Sequence, residues 1–375
     1  MPSALPSTQR VLTFQADSKT VALETIPLDK PGPGQVLIKN AAVAQNPADC
    51  AFSLFSSTIA VPDIVRVTGK VIDYGMLSAG QGMGWDFAGR IVALGEGVTD
   101  NKIGDRIAGC HIPVNSVKTV QNAFCEYTLA AVKPLLRIPD SITDEEASTI
   151  PLASLTALHL LNIISGIPKR APLGGRAFLI WGGSSSVGQF AIQLAHIAGY
   201  KVITTASPKN HAFVKSLGAA VAIDYRAPDV LEQIVAASGW GGVDYVFDAI
   251  CEGNSAELAS KTLRKGGPRK VALANQLDLN NLNQSVDYYH GVPSALLNDD
   301  LNIGGVYRPR NRTDFDLAID FFENAAGWLE EGRFKPNPVT VHPGGLSGIQ
   351  DGLDFMKAGK VSGSKLVYRV ADTPA

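Results

Sequence analysis

RAFLIWGGSSSVG, residues Arg176–Gly188, is the stretch on which the reading of this chain turns. Its first part, Arg176–Trp181, is a short apolar run with the length and composition of a buried strand. Its second part, Trp181–Gly188, carries three glycines and three serines and opens a segment with helical spacing, Val187–Ala198. A strand that ends in small residues and passes straight into a helix lets the backbone approach a phosphate. The free N–H groups and the positive end of the helix dipole then point at that phosphate. Ser184, Ser185 and Ser186 add hydroxyl donors, and Val187 begins the helix. The loop departs from a strict G-x-G-x-x-G, so an ordinary Gly/Ser strand–helix turn is the competing reading, and its surroundings must decide.

Those surroundings alternate. After Trp181 come a helix at Val187–Ala198, a strand at Lys201–Thr205 and a helix at Asn210–Leu217. Val221–Ile223, Val230–Ala237, Val243–Ile250, Ser255–Leu263 and Lys270–Ala274 continue the pattern. Strand–helix alternation at this spacing implies an α/β fold, a Rossmann-type doubly wound parallel sheet with helices on both faces. The first half reads differently. Short β-rich runs at Val11–Phe14, Val21–Ile26, Val36–Ala44, Phe87–Leu94, Arg106–Cys110 and Ala123–Leu129 are punctuated by glycine and proline, which suggests a β-rich domain. The tail, with an amphipathic helix at Phe315–Glu331 and strands at Val339–His342 and Lys365–Val370, is expected to return to that domain. Two domains follow: residues 1–155 with 330–375, and residues 156–329 between them.

The end of the strand after the loop selects the cofactor. NAD sites place an acid there for the ribose 2′-hydroxyl. This chain has Thr204-Thr205-Ala206-Ser207-Pro208-Lys209-Asn210, with no acid. Ser207 can donate to a 2′-phosphate and Lys209 brings positive charge, so NADPH is expected. Ser-Pro before a helix is also a common N-cap and N1 pair, and the two roles are compatible.

Composition narrows the rest. The chain has 375 residues, 45% hydrophobic and 18% charged, with a net charge of −2. That balance suits a soluble enzyme of two domains and gives no basis for nucleic acid or membrane partners. Its four cysteines are scattered, with no C-x-x-C pair. Together with an N-terminus lacking signal-peptide character, this points to a reducing, cytoplasmic location.

The residues further resemble the medium-chain dehydrogenase/reductase superfamily, in its zinc-free, quinone-reductase-like branch. The stretches that carry the likeness are PGPGQVLIKNAAVAQNPAD (Pro31–Asp49), DFAGRIVALGEGVTDNKIGDRIAG (Asp86–Gly109), LGAAVAIDY (Leu217–Tyr225) and GLDFMKAGKVSGSKLVYRV (Gly352–Val370). SPKN (Ser207–Asn210) and DYRAP (Asp224–Pro228) are similar to fungal trans-acting enoyl reductases. The resemblance implies that the β-rich part is a GroES-like catalytic domain. It also implies cofactor contacts at Ser184, Ser185, Ser186, Val187, Ser207, Lys209, Asn210 and Tyr225. Asp49, Cys50, Ala274, Val361 and Ser362 would line the same cleft.

Zinc-dependent relatives need N, S and O ligands in a tetrahedral set. Here the corresponding positions are Asn46, the Gly84-Trp85-Asp86 triplet and Pro151–Ser154, so no metal is expected. Without a Lewis acid, reduction of an activated C=C is the chemistry that asks least of the protein. Thr156, on the PLASLTAL helix start, and Asn46 are the candidates to support the substrate. Asp49 reads equally as a turn-stabilising residue. Fungal relatives carry a lysine two residues after the Asp of the early turn; this chain has Ala51. Carbonyl or imine reduction, cyclisation in the same pocket, and a non-catalytic NADPH-binding role therefore stay open beside enone or enoyl reduction. The expected partner is a small-molecule substrate, free or carrier-bound, and the protein is expected to be a monomer or homodimer. A long stretch, Phe52–Gly82, is expected to act as a lid, a cleft roof or a subunit contact.

Overall fold

The computed structural model describes residues 4–15, 20–49, 80–111, 122–167, 176–275, 277–290, 301–303, 306–308 and 311–375. Cys50 and most of the Phe52–Gly82 stretch lie outside the described residues. Those up to 152 and from 301 onward form one compact unit, and those from 153 to 290 form a second.

In the first unit, β1 (Thr8–Gln15) and β2 (Thr20–Pro27) make an antiparallel hairpin. A seven-stranded sheet contains β3 (Gln35–Ala44), β4 (Asp86–Leu94), β5 (Arg106–Cys110), β6 (Tyr127–Ala131) and β7 (Leu136–Arg137). The strands Val339–Val341 and Lys365–Arg369 complete it. Lys365–Arg369 lies antiparallel to β3, with Val367 opposite Ala44, so the end of the chain rejoins the sheet formed by its beginning. Apolar residues on these strands, among them Phe14, Ile38, Phe87, Ile91 and Tyr368, bury together with Leu346 and Leu353 in one core. Burial of this kind supplies the dominant favourable term in folding.

β6 starts four residues later than the apolar run Ala123–Leu129 suggests. The reason is a buried amide. Asn40 Nδ2 donates to the carbonyls of Ala123 and Cys125 at 3.2 and 2.9 Å, so a side chain satisfies groups that a ladder would otherwise use. The helix Arg312–Glu330, capped by the Asn311 side chain, belongs to the first unit, where Glu323 pairs with Lys133. The spatial division therefore falls earlier in the chain than residue 329.

The second unit holds a six-stranded parallel sheet. Its strands are β8 (Ala177–Trp181), β9 (Lys201–Thr205), β10 (Val221–Ile223), β11 (Tyr245–Asp248), β12 (Lys270–Leu273) and β13 (Asp287–His290). The spatial order is β10-β9-β8-β11-β12-β13. All five residues of β8 are buried, as a strand covered by helices on both faces requires. The chain runs outward from β8 through β9 to β10, then crosses back to β11 on the other side. The order thus reverses between β8 and β11, and ligands of open α/β sheets bind outside the strand ends at such a reversal. β13 was not expected from the sequence: its residues, Asp-Tyr-Tyr-His, are mostly polar or amphipathic, as an edge position permits.

Candidate functional site

At the carboxyl end of β8, Gly182 adopts φ 82°, the left-handed region that glycine enters without penalty. A Cβ there would collide with the Ile250 side chain, one on Gly183 with Thr204 Oγ1, and one on Gly188 with the Gly182 carbonyl. Three glycines are therefore needed for the turn and for the close seating of the following helix, Ser186–Ile197, against the strand. Thr205 holds the loop from β9: its Oγ1 accepts from Gly182 N–H at 2.9 Å, and its carbonyl from Gly183 N–H at 2.9 Å.

Ser185 is the N-cap of that helix. Its Oγ accepts from Gly188 N–H at 3.1 Å and donates to the Gly182 carbonyl at 2.8 Å. Capping therefore occupies the Ser185 hydroxyl, and its contribution to an anion comes through the loop and helix it fixes. Ser184, Ser186 and Val187 are half-buried around it. On the far side, Ala249 N–H bonds the Trp181 carbonyl at 3.0 Å. Asp248, fully buried at the end of β11, accepts from Ile250 N–H, Cys251 N–H and Ser255 Oγ–H at 2.9, 3.1 and 2.6 Å. Burial pushes its carboxyl above the usual range, against the pull of these bonds. Ala274 N–H bonds the Asp248 carbonyl at 3.0 Å and so lies at the same strand ends. The roles of Asp248 and Thr205 had one signal in the sequence, a polar residue closing an apolar strand.

The ends of β9 and β10 adjoin, since Ala206 N–H bonds the Ile223 carbonyl at 3.0 Å. Ser207 and Pro208 occupy N-cap and N1 of the short turn Pro208–Asn210, as a Ser-Pro pair favours. The Ser207 hydroxyl nonetheless makes no capping bond. Asn210, at the N-cap of His211–Ser216, makes none either. Lys209 is exposed, with no ion pair among the described residues. Tyr225 is 45% exposed, with the Arg226 guanidinium 5.1 Å from its ring centroid. Arg226 in turn pairs with Asp224 at 3.2 Å and, with its own N–H, holds that carboxyl below its ordinary value. The second unit thus brings Ser184, Ser185, Ser186, Val187, Ser207, Lys209, Asn210, Tyr225 and Ala274 to one edge of one sheet.

The first unit carries the other candidates apart from Thr156, which the second unit holds. Asn46 and Asp49 sit buried on the turn after β3. Asp49 Oδ2 accepts from Asn46 N–H at 2.7 Å, while Oδ1 is buried with no partner among the described residues. Burial, opposed by the Asn46 bond, holds its carboxyl well above the ordinary value. Asn46 Nδ2 donates to Asp86 Oδ2 at 2.9 Å, and the Lys365 ammonium bonds the same oxygen at 2.7 Å. Asp86 Oδ1 accepts from Leu152 N–H at 2.8 Å. Lys365 also reaches the Thr149 carbonyl at 3.3 Å. This buried pair was not singled out from the sequence, where Asp86 stands in the triplet at the zinc position, just before the strand Phe87–Leu94, and Lys365 heads the closing strand Lys365–Val370. Val361 is half-buried and Ser362 exposed, just before the strand that carries Lys365. Thr156 is buried on the helix Pro151–Ser165. Among the described residues, no group of three or more His, Cys, Asp or Glu side chains is placed to hold a metal ion.

Residues 32–140 match the family model of the alcohol dehydrogenase GroES-like domain, and residues 186–324 match that of the zinc-binding dehydrogenase. These are a GroES-like and a Rossmann-type domain of one oxidoreductase class. A trans-enoyl reductase of Penicillium citrinum, gkaC, is 32% identical over 381 residues, which cover 97% of this chain and 99% of its own. Another, traG of Penicillium crustosum, is 30% identical over 390 residues and 99% of this chain, all of its own length being covered. Among solved structures, CurK enoyl reductase superposes with a TM-score of 0.73 at 21% identity, over 96% of this chain and 99% of its own. The quinone oxidoreductase of Coxiella burnetii gives 0.69 at 23%, over 97% and 99%. The chain belongs to the trans-enoyl reductase family of the medium-chain dehydrogenase/reductase superfamily.

Proposed function

We propose that this protein is an NADPH-dependent reductase of activated carbon–carbon double bonds that works without zinc. One observation carries the cofactor choice. At the end of β9 the Ser207 hydroxyl and the Asn210 amide are spared from capping, Lys209 is exposed, and no carboxylate occurs from Thr204 to Asn210. A 2′-phosphate finds donors and a cation there, whereas a bare ribose lacks the acid it needs. Tyr225 offers an exposed ring beside the same strand end.

The glycines of the loop at Gly182 and the N-terminus of Ser186–Ile197 suit the pyrophosphate. When bound, the dihydronicotinamide supplies a hydride for the β-carbon of an enone or enoyl thioester. The chain's own residues then have to orient the substrate and stabilise negative charge on its carbonyl oxygen. Thr156 is the side chain proposed for that support. Asn46 fits a positioning role better, because its amide donors are turned to Asp86 and the Ala44 carbonyl.

The donor set at the family's zinc position argues for metal independence. Asn46 and Trp85 offer neither thiolate nor imidazole, and the Asp86 carboxylate already holds the Lys365 ammonium. Because the similar proteins are trans-enoyl reductases, a carrier-held thioester is the substrate form proposed here. The test is NADPH consumption against a panel of enoyl thioesters, enones, aldehydes and quinones. The proposal expects turnover on the enoyl thioesters, with the saturated thioester as product and no loss after chelation. Tight NADPH binding with no turnover on any member would instead mark a non-catalytic dinucleotide-binding protein.

A further inference from the structure

We infer that the amino-terminal edge of the parallel sheet in the second unit is a docking surface for an acidic face of a partner protein. Parallel strands gather all their starts on one edge, opposite the Gly182 loop. On this edge Lys201 heads β9 and Lys270 heads β12. The connection before β12 adds Arg264, Lys265 and Arg269. This concentration of cations occurs in a chain whose net charge is −2.

Within this field stands Trp240, 65% exposed, the most exposed of the large apolar side chains described. It tips a loop between Gly239 and Gly241, both in the left-handed region at φ 77° and 69°. The loop is anchored against the basic connection by Val243 N–H to the Thr262 carbonyl and Arg264 N–H to the Val243 carbonyl, each 2.9 Å. Trp240 is therefore held beside the cations by backbone bonds. An indole kept in water costs free energy that folding alone does not require, and tryptophan with surrounding arginine is typical of the centre of a protein interface.

The cations are also set in place. Arg264 bonds Asp244 at 2.7 Å, and its side chain stays 32% exposed. Arg269, itself at φ 54°, is fixed by bonds to the Ser285 carbonyl and Oγ at 2.8 and 2.6 Å. The Lys270 ammonium lies 5.6 Å over the Tyr289 ring. Lys201 and Lys265 have no ion pair among the described residues. Oriented guanidinium groups interleaved with Asp244 suit discrete carboxylates of a protein better than the diffuse field of a lipid or nucleic acid surface. A partner seated here leaves the opposite, cofactor-binding edge of the sheet open.

The probe is a synthetic peptide rich in Asp and Glu with interspersed leucines, titrated against the intact protein by intrinsic tryptophan emission. Its Asn/Gln counterpart and anionic phospholipid vesicles serve as comparison. Saturable binding of the acidic peptide alone is expected, weakening as salt is raised. The K265E/K270E double variant and, separately, W240A should each weaken it about tenfold. Both variants should keep the wild-type melting temperature and NADPH affinity. Absence of peptide binding, equal binding by the variants, or tighter capture of the vesicles through these same residues would overturn the inference.

Discussion

Replacing Lys365 by Met tests how the early turn of the first unit is held. The Lys365 ammonium is 3% exposed, its partner Asp86 is fully buried, and they meet at 2.7 Å. Methionine fills similar volume but removes the cation. Asp86 would keep the Asn46 amide and Leu152 N–H and lose its only buried counter-charge among the described residues. Breaking one side of a buried pair typically costs about 3–5 kcal/mol, because the remaining charge is left uncompensated. For a unit of this size each kcal/mol shifts the midpoint by roughly 2–4 °C, so a drop of roughly 6–20 °C is expected. Denaturant and thermal unfolding followed by fluorescence give the number. The double variant Asp86→Asn/Lys365→Met should regain much of the loss, since no charge is then stranded. NADPH affinity should change little, because the Gly182 loop belongs to the second unit. A loss under about 1 kcal/mol in the single variant, with no recovery in the double, would refute the claim that this pair organises the turn.

Three further outcomes follow from other parts of the molecule. Gly188→Ala puts a methyl against the Gly182 carbonyl and 2.9 Å from Ser185 Oγ. It should lower stability by about 1–3 kcal/mol and weaken NADPH binding in isothermal titration; unchanged values in both would contradict the tight-turn account. Ser207→Asp sets a carboxylate where the 2′-phosphate is proposed to lie, so NADPH affinity should fall and NADH affinity rise, and a parallel fall of both would count against the assignment. Asp49→Asn concerns a carboxyl whose folded value is raised by burial. Wild-type stability relative to the variant should be level below about pH 4 and decline as pH rises toward the folded value. Paired melting curves across that range would show the opposite slope if Asp49 were ionised in a stabilising pair.

The alternating apolar runs from Arg176 onward made the parallel sheet legible, because a strand buried on both faces has few ways to be written. The glycines at 182, 183 and 188 were legible for the same reason: no larger residue fits the turn. The Asp86–Lys365 pair was not, because its two members are far apart in the chain and are joined only when Lys365–Arg369 lies beside β3. Ser185 was read as a direct donor; its hydroxyl is spent on the cap, a geometric outcome that spacing alone does not distinguish. The late start of β6 depended on the Asn40 amide, a contact across 83 residues that no local pattern encodes. Trp240 was not singled out from the sequence, and only its 65% exposure in the loop anchored to the basic connection at Arg264 gave it meaning.

Equilibrium titration of the purified protein with NADPH and with NADH, in the same buffer, bears most directly on the proposed chemistry. A saturable NADPH complex at least about tenfold tighter than that with NADH is expected, the difference shrinking in Lys209→Ala. Equal affinity for the two, a preference for NADH, or no binding of either would contradict the account of the Ser207–Asn210 strand end.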